Sequence, residues 1–224
     1  FNFRPGGTTT VNGTNLDKIA YATVPGPGST TLTINVFNVS ADKTSMTFTL
    51  PETTCDGTMY FYDAGGNQIS SGTFAVEKPS FSSFNGQTSV AVGESLTIKG
   101  NNLDLVKSVT FSGGITVDVT PTESQTIVVS VPSGAQTGQI MLNMANGTQV
   151  PTDSITISEP VVAVPEILND RREGTDVYFS GTNLDQVRQI YINGNAQAFE
   201  LVGDEIRIAG SAMGINGTAR FVYD

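Results

Sequence analysis

Oxygen-bearing side chains recur in one short motif, G-[TN]-N-L-D, which occurs three times in the sequence. Asn and Asp oxygens suit calcium, but a calcium loop carries a denser run of carboxylates than one Asp per motif. We therefore interpret the motif as structural, because Gly permits a tight exit from a strand, Asn and Asp satisfy local backbone groups, and Leu enters the core. The copies are Gly13–Asp17, Gly100–Asp104 and Gly181–Asp185.

Side chains that carry catalysis in most enzymes are missing from this sequence or lack their partners. The chain has no His and one Cys, which excludes His-dependent triads, Cys/His zinc sites and an internal disulfide framework. A Ser nucleophile would then need a Lys base, and no Lys lies in a recognisable motif. We expect no enzyme activity, no catalytic residue, no metal site and no cofactor.

Two smaller features each allow a functional and a structural interpretation. Carboxylates close in sequence could act as acid and base, but in loop-like segments they are typical of solvated turns. The pairs are Asp170 with Glu173 and Asp204 with Glu205. Cys55 could be a reactive thiol, but no Lys, Arg or His adjoins it to favour the thiolate. We interpret all of these as structural.

The charge balance excludes a further class of partner. The 224 residues include 11 Lys+Arg and 21 Asp+Glu, a net charge of −10, and such a charge repels a phosphate backbone. Arg171-Arg172 is the only adjacent basic pair, whereas nucleic-acid binding usually calls for a broad basic stripe. No apolar run approaches the ~20 residues that cross a bilayer. We predict no nucleic-acid partner.

The elements that hold these residues follow from an internal repeat of about 80 residues, because the motif begins at residues 13, 100 and 181. In each copy, apolar residues follow the motif Leu at +3, +6 and +8, and an alternating run precedes it. A second alternating run and a Gly that opens another strand come later. Period-two alternation is typical of half-buried strands, so each motif leaves one strand and leads into the next.

The pattern predicts an all-β protein of three tandem immunoglobulin-like (IPT/TIG-type) β-sandwich domains in an elongated arrangement. The strands are short, Asn-Gly turn signals separate them, and no stretch shows helical periodicity. The first two repeats end at Pro79 and Pro160, and Pro both stops a strand ladder and stiffens a junction. We place the domains at residues 1–78, 79–160 and 161–224.

The third repeat is shorter than the others at its carboxyl end. A Gly opens the late strand of each repeat. The chain runs 21 residues from Gly57 to Lys78 and 21 from Gly138 to Glu159, but only 7 from Gly217 to Asp224. The difference corresponds to a closing strand, and natural sandwiches avoid leaving such an edge open. We expect that strand to come from a continuation beyond Asp224 or, as the alternative, from a neighbouring molecule by strand addition.

Two tyrosines stand out once the repeats are aligned. Met59 and Phe61 take the register of inward-facing residues, so Tyr60 and Tyr62 point out of the same strand toward solvent. Two residues apart on one sheet face means about 7 Å, a spacing that could support successive sugar rings. A contact between domains is the alternative. We take Tyr60 and Tyr62 as the candidate ligand-binding residues.

Other aromatic residues limit this hypothesis. Tyr178 and Tyr191 also face outward, but on strands that an immunoglobulin-like sandwich assigns to opposite sheets, so they cannot form one platform. Trp, a common sugar-stacking residue, is absent from the chain. We expect any glycan binding by this segment to be weak.

Repeat two resembles a known family along most of its length, in the runs Pro79–Phe81, Val92–Leu103, Val131–Pro132 and at Gly138. It looks like an IPT/TIG domain, the immunoglobulin-like fold of plexins, some transcription factors and many bacterial surface proteins. Tandem acidic, cysteine-poor copies are similar to the spacer modules of surface glycan-binding lipoproteins in glycan-foraging Gram-negative bacteria. The resemblance implies export to the outer membrane surface, and membrane attachment only through a lipid anchor outside this chain.

The resemblance also implies a function, since in such proteins these modules hold a carbohydrate-binding module away from the membrane. We predict a non-catalytic bacterial cell-surface protein whose modules act as spacer and as carbohydrate-binding surface in glycan capture, with a polysaccharide or oligosaccharide as partner. The first alternative is a cell-adhesion or interaction module that binds another cell-surface protein. The second is an accessory region of a polysaccharide-active enzyme whose catalytic domain lies outside these residues.

Overall fold

The structure of the protein, a computed structural model, describes residues 2–162, 174–210 and 218–223. These residues form 23 strands, and their helical elements are four single turns of 3-10 helix. The all-β prediction is therefore confirmed. No helix in the described ranges is long and apolar enough to cross a membrane. We name residues 1–78, 79–160 and 161–224 repeats one, two and three.

Repeat one contains eight strands in two sheets. They are β1 (Asn2–Phe3), β2 (Thr8–Asn12), β3 (Ile19–Pro25), β4 (Thr31–Ile34), β5 (Asn38–Val39), β6 (Ser45–Thr49), β7 (Gly57–Asp63) and β8 (Gln68–Val76). The larger sheet has the order β1-β8-β7-β3-β4 and the smaller one β2-β6-β5. Turns of 3-10 helix at Leu16–Lys18 and Pro27–Ser29 lead out of β2 and β3. Strand β2 is an edge strand, because it stands at one end of the order of the smaller sheet.

Repeat two also contains eight strands in two sheets. They are β9 (Ser80–Ser83), β10 (Ser89–Ala91), β11 (Ser95–Asn101), β12 (Val106–Ser112), β13 (Thr116–Asp118), β14 (Thr126–Ser130), β15 (Gln136–Met144) and β16 (Gln149–Ser158), with a 3-10 turn at Leu103–Leu105. The sheet orders are β10-β16-β15-β12-β13 and β14-β11-β9. Here β11 is a central strand, with β14 on one side and β9 on the other. Its equivalent in repeat one, β2, pairs with β6 alone among the described strands.

Repeat three has seven strands in the described residues. They are β17 (Val161–Val162), β18 (Val177–Thr182), β19 (Val187–Ile192), β20 (Asn195–Gln197), β21 (Glu200–Val202), β22 (Glu205–Ile208) and β23 (Ala219–Tyr223), with a 3-10 turn at Leu184–Gln186. The sheet orders are β17-β18-β22-β21 and β20-β19-β23. Within the described ranges, β23 pairs with β19 alone. A closing strand from beyond Asp224 stays a prediction.

The sheets of repeat two have the immunoglobulin-like arrangement, in which two mainly antiparallel sheets face each other across one core. The short first strand of the larger sheet, β10, pairs in parallel with the last strand, β16. Repeat one has the same parallel pair, β1 with β8. Pairs β3–β7, β12–β15 and β19–β23 are equivalent and antiparallel. The immunoglobulin-like fold predicted from the sequence is therefore present.

Buried apolar side chains form three separate clusters, one in each repeat. The motif leucines Leu16, Leu103 and Leu184 each begin a 3-10 turn, and they are only 9%, 0% and 4% exposed. The Asn before each of them has a left-handed backbone, which Asn tolerates better than most residues. The motif thus reverses the chain and inserts its Leu into the core. The exact domain boundaries stay a prediction.

Candidate functional site

The candidate tyrosines lie on β7, whose residues alternate between core and surface. Met59 and Phe61 are buried in the core of repeat one, and Tyr60 and Tyr62 between and beside them are half-buried on the outer face. This alternation follows from strand geometry, because successive side chains leave opposite faces. Strand β7 has neighbours on both sides in its sheet, so its tyrosines stand near the middle of the face.

A third tyrosine, Tyr21 on β3, belongs to the same face. Tyr21 is paired with Tyr62 across the two strands, and their rings stack with centroids 4.5 Å apart and planes at 8°. One face of the Tyr62 ring is therefore covered by Tyr21. We name Tyr21, Tyr60 and Tyr62 the tyrosine face.

Sequence reasoning missed Tyr21, although a signal for it was available. The motif Leu16 is followed at +6 and +8 by Ala22 and Val24, which are both fully buried. Position +5 directly precedes inward-facing +6 in the run that alternates through +8, so its side chain must leave the opposite side of the strand. Its contact with Tyr62 needed the register between β3 and β7, which alternation within one strand does not give.

Polar side chains surround the tyrosine face. The Tyr62 hydroxyl lies 3.4 Å from Oε1 of Gln68, the residue opposite it on β8. Tyr60 is flanked on its two sides by Thr23 and Ser70, its partners on β3 and β8. Hydroxyl and amide groups beside aromatic rings provide donors and acceptors for a polar ligand with an apolar surface.

The end of the tyrosine face is fixed by a tight turn between β7 and β8. Asp63 Oδ1 accepts hydrogen bonds from the backbone N–H groups of Gly65 (2.8 Å) and Asn67 (2.9 Å), and Oδ2 accepts one from Asn67 Nδ2 (2.8 Å). The Asn67 side-chain amide lowers the pKa of Asp63 most, and the backbone N–H groups lower it further. The carboxylate thus stabilises the turn as an anion and is engaged by its own loop.

The equivalent faces of the other repeats differ in chemistry. In repeat two, Asn143 replaces Tyr62 and donates from Nδ2 to Ser108 Oγ at 3.1 Å and Thr110 Oγ1 at 2.9 Å. In repeat three, the Arg220 guanidinium lies over the Tyr191 ring at 4.7 Å, a cation–π contact. The stacked tyrosine pair is thus specific to repeat one.

Tyr178 and Tyr191 stand where the alternation predicted. Tyr178 lies on β18 and is 39% exposed, whereas Tyr191 lies on β19 in the other sheet. They do not share a face. Tyr178 therefore provides an exposed tyrosine that is separate from the tyrosine face.

The G-x-N-L-D motifs make protein contacts with their polar side chains. Asn102 Nδ2 donates to the carbonyl of Lys78 (3.3 Å), and Asn183 Nδ2 donates to that of Glu159 (3.2 Å). These carbonyls belong to the residues just before Pro79 and Pro160. In the described residues, no group of three or more His, Cys, Asp or Glu is placed to hold a metal ion. In repeats two and three, the motif Asn therefore secures the segment that enters the repeat.

The junction between repeats one and two is held by an arginine fork. Arg4 Nη1 donates to Glu77 Oε2 at 2.8 Å and to Asn102 Oδ1 at 3.3 Å, while Nη2 forms an ion pair with Asp104. The Asp104 carboxylate raises the pKa of Arg4 most, with a further contribution from Glu77. One side chain thus joins the end of repeat one to the motif of repeat two.

Two further contacts cross the same junction. Asn146, only 5% exposed, donates from Nδ2 to the carbonyl of Thr54 at 2.9 Å, and Lys107 Nζ pairs with Glu52 Oε1 at 2.9 Å. A buried amide needs a partner, so separation of the repeats would cost the Asn146 hydrogen bond. These contacts oppose rotation of one repeat against the other.

Cys55 lies next to this junction and is half-buried. Its Sγ is 3.7 Å from the carbonyl oxygen of Asn146. Burial, and then the neighbouring Asp56 carboxylate, raise the pKa of the Cys55 thiol. A thiol with a raised pKa is a poor nucleophile at neutral pH, which agrees with the interpretation of Cys55 as inert.

The carboxylate pairs of the sequence analysis do not form a described cleft. Asp204 lies in the turn between β21 and β22, and the exposed Glu205 begins β22. Asp170, Glu173 and Arg171-Arg172 lie outside the described residues.

Comparisons with known proteins found similar chains among solved structures. No protein-family model and no curated protein matches the chain. It is similar to SGBP-B of a Bacteroides ovatus mixed-linkage glucan utilization locus, solved with a mixed-linkage heptasaccharide (18% identity, 99% of this chain, 65% of that chain, TM-score 0.32). It is also similar to the surface glycan-binding protein PbSGBP-B from Prevotella bryantii (16% identity, 67% of this chain, 36% of that chain, TM-score 0.34).

A segment of titin is also similar to the chain, with a TM-score in the same range. The I9-I11 tandem of titin shares 10% identity over 99% of this chain and 90% of that one, with a TM-score of 0.34. The chain spans 65% and 36% of the two bacterial proteins. At such identities and TM-scores the likeness says nothing of function.

Proposed function

We propose that this chain is a non-catalytic bacterial cell-surface segment that serves glycan capture, with its immunoglobulin-like repeats as spacer and the tyrosine face as a weak carbohydrate-binding surface. The stacked pair of Tyr21 and Tyr62 beside Tyr60 carries the proposal. Likeness to solved glycan-binding proteins does not carry it, because the titin tandem matches with a TM-score of 0.34 against 0.32 for SGBP-B.

The tyrosine face suits a sugar because pyranose rings have an apolar face of C–H groups and a polar rim of hydroxyls. The half-buried Tyr60 and Tyr62 rings offer the apolar contact. Gln68, Thr23 and Ser70 stand beside them with amide and hydroxyl groups for the rim. With no Trp in the chain and few ring faces, the expected affinity is low.

The spacer role rests on the junction between repeats one and two. Arg4, Asn146 and Lys107 each contact the other repeat, so the tyrosine face is held in a fixed relation to repeat two. A stiff junction presents a binding surface at a set distance from its attachment. Attachment through a lipid anchor outside this chain, at the outer membrane surface, is part of the proposal.

The experiment that tests the proposal is affinity electrophoresis of the purified chain in gels that contain soluble polysaccharides. Mixed-linkage β-glucan and xyloglucan are the first ligands, with a β-mannan and a bacterial exopolysaccharide as further members of the panel. The proposal expects retardation by at least one polysaccharide, and no release of reducing ends over a day at 37 °C. Turnover of a polysaccharide, or mobility unchanged across the panel, contradicts it.

A further inference from the structure

Within the described residues, repeat two leaves open one sheet edge that repeats one and three cover with their own chain. In the smaller sheet of repeat one, β5 lies beside β6, and in repeat three β21 lies beside β22. The equivalent strand of repeat two, β14, pairs with β11 alone among the described strands. This edge is open although every residue between β13 and β15 is described.

A proline explains why no covering strand forms beside β14. Glu123 and Thr126 form an isolated bridge, which begins a hairpin like the β21–β22 hairpin of repeat three. Two residues further along this hairpin, Pro121 would stand opposite Val128. Proline has no N–H to donate and is disfavoured inside a strand ladder, so the hairpin ends after one bridge.

The backbone groups on the open side of β14 follow from the bonds on its other side. The Val131 N–H donates to the carbonyl of Glu94, and the Val131 carbonyl accepts from the Gly93 N–H. Bonding toward one neighbour alternates along an antiparallel strand, and the register of β14 with β11 is unbroken. The N–H and C=O groups of Val128 and Ser130 therefore point away from β11, toward the open edge.

Apolar side chains line the same edge. Val128 is 61% exposed, and the register places Thr47 of repeat one and Arg207 of repeat three at its position. On the inner side, a groove of about 630 Å³ runs between β13 and β14 and is lined by the partly buried Val117 and Val119. An unpaired edge strand beside uncovered apolar surface can accept a further strand.

The charges around this groove are acidic. Asp118 and Glu123 line it and are exposed, and neither forms an ion pair with any described residue. No Lys or Arg is among the described residues that line the groove. The whole chain has a net charge of −10, so a second copy is repelled from this edge, whereas a segment with basic residues is attracted.

From these observations we infer that the open edge of β14 and its groove bind an extended segment of a partner protein, in which apolar and polar residues alternate and Lys or Arg flanks the run. Its backbone would pair with Val128 and Ser130, because N–H and C=O groups spaced along one strand match those of another strand. Its apolar side chains would fill the groove, and its basic residues would face the two carboxylates. This site lies on repeat two, apart from the tyrosine face of repeat one.

The test is an NMR titration of the isotope-labelled full chain with a synthetic peptide. The probe is acetyl-Lys-Val-Thr-Val-Thr-Val-Lys-amide, which has the alternation and the flanking charges. We expect saturable amide shifts that are largest at residues 117–119 and 127–130. The same peptide with N-methyl groups on both Thr keeps its charge but cannot donate from that edge, and it should bind roughly tenfold more weakly. A peptide with Glu in place of both Lys should also bind more weakly.

Two variants of the chain test the edge itself. Val128→Lys places a like charge beside the basic probe at an exposed position, and it should weaken binding by roughly tenfold. Thr47→Lys makes the same change of charge at the equivalent position of repeat one, which β5 covers, and should bind the probe like wild type.

Three results would overturn the inference. They are the absence of saturable shifts at β14, equal binding of the N-methylated peptide, and equal weakening in the two Lys variants. Dimerisation of the free chain that Val128→Lys abolishes would also overturn it, in favour of a second copy as the occupant.

Discussion

The carbonyl oxygen of Ser80 occupies the space that a side chain on Gly100 would need. The two strands can approach this closely only because residue 100 has no Cβ, and the register between β9 and β11 shifts at the same point. The glycine of the motif is therefore a requirement of packing, and its role depends on whether a strand is present beside it.

Gly100→Ala should lower the free energy of unfolding by about 1–3 kcal/mol, because the methyl group forces β9 away from β11. Gly13→Ala makes the same chemical change at the equivalent position of repeat one, where the described residues place no such strand, and should stay within about 0.5 kcal/mol of wild type. Urea denaturation followed by circular dichroism measures both. Equal losses in the two variants would contradict this account of the motif.

Arg4→Ala should loosen the junction between repeats one and two. Its ion pairs with Glu77 and Asp104 are about one-third exposed, so screening limits the loss to about 1 kcal/mol. Lys18→Ala removes the same charge at an exposed site within repeat one and is the control. Residual dipolar couplings should show a single relative orientation of the repeats in wild type and Lys18→Ala, and averaging in Arg4→Ala. Unchanged couplings in Arg4→Ala would mean that the fork does not set the orientation.

Asp56 should make stability depend on acid. Its carboxylate accepts from Lys78 Nζ at 2.7 Å and from the Val76 N–H at 2.8 Å, and these two contacts, Lys78 first, lower the pKa of Asp56. A carboxylate with a lowered folded-state pKa stabilises the fold above the unfolded pKa, about 3.9 for Asp. That contribution is lost as the pH falls through the folded-state value.

The matching measurement compares Asp56→Asn with wild type by thermal unfolding between pH 2 and pH 7. The side chain is 48% exposed, so the difference at pH 7 should be below about 1 kcal/mol. It should vanish in acid, where both side chains are neutral. Asp153→Asn, on the exposed side of β16, controls for the loss of a surface charge. A difference that persists at the lowest pH would show that Asp56 acts through packing.

Local pattern was enough to predict much of this structure. The repeated motif predicted Leu16, Leu103 and Leu184 in the cores, and alternation along β7 predicted that Tyr60 and Tyr62 face outward. The orientation of the tyrosines depends on alternation within a single strand, and the burial of the leucines depends on a left-handed backbone conformation that Asn and Gly favour. They need no knowledge of which strands are neighbours.

Contacts between distant segments could not be predicted in the same way. The stacking of Tyr21 on Tyr62 depends on the register of two strands, and the fork of Arg4 joins residues 100 positions apart. The role of the motif Asn in holding the residue before Pro79 or Pro160 depends on a left-handed turn beside an entering strand. Each of these contacts requires the three-dimensional arrangement of elements that pattern alone leaves open.

The central claim, that the tyrosine face binds glycan, is tested most directly by isothermal titration calorimetry with the polysaccharide that retards the chain most. The account predicts weak binding, with a Kd on the order of 1 mM per site. Binding should fall at least tenfold in the Tyr60→Ala/Tyr62→Ala double variant, since each ring contributes about 1 kcal/mol. Tyr178→Ala, an exposed tyrosine elsewhere, should bind like wild type. Equal affinity of the double variant and wild type would contradict the account.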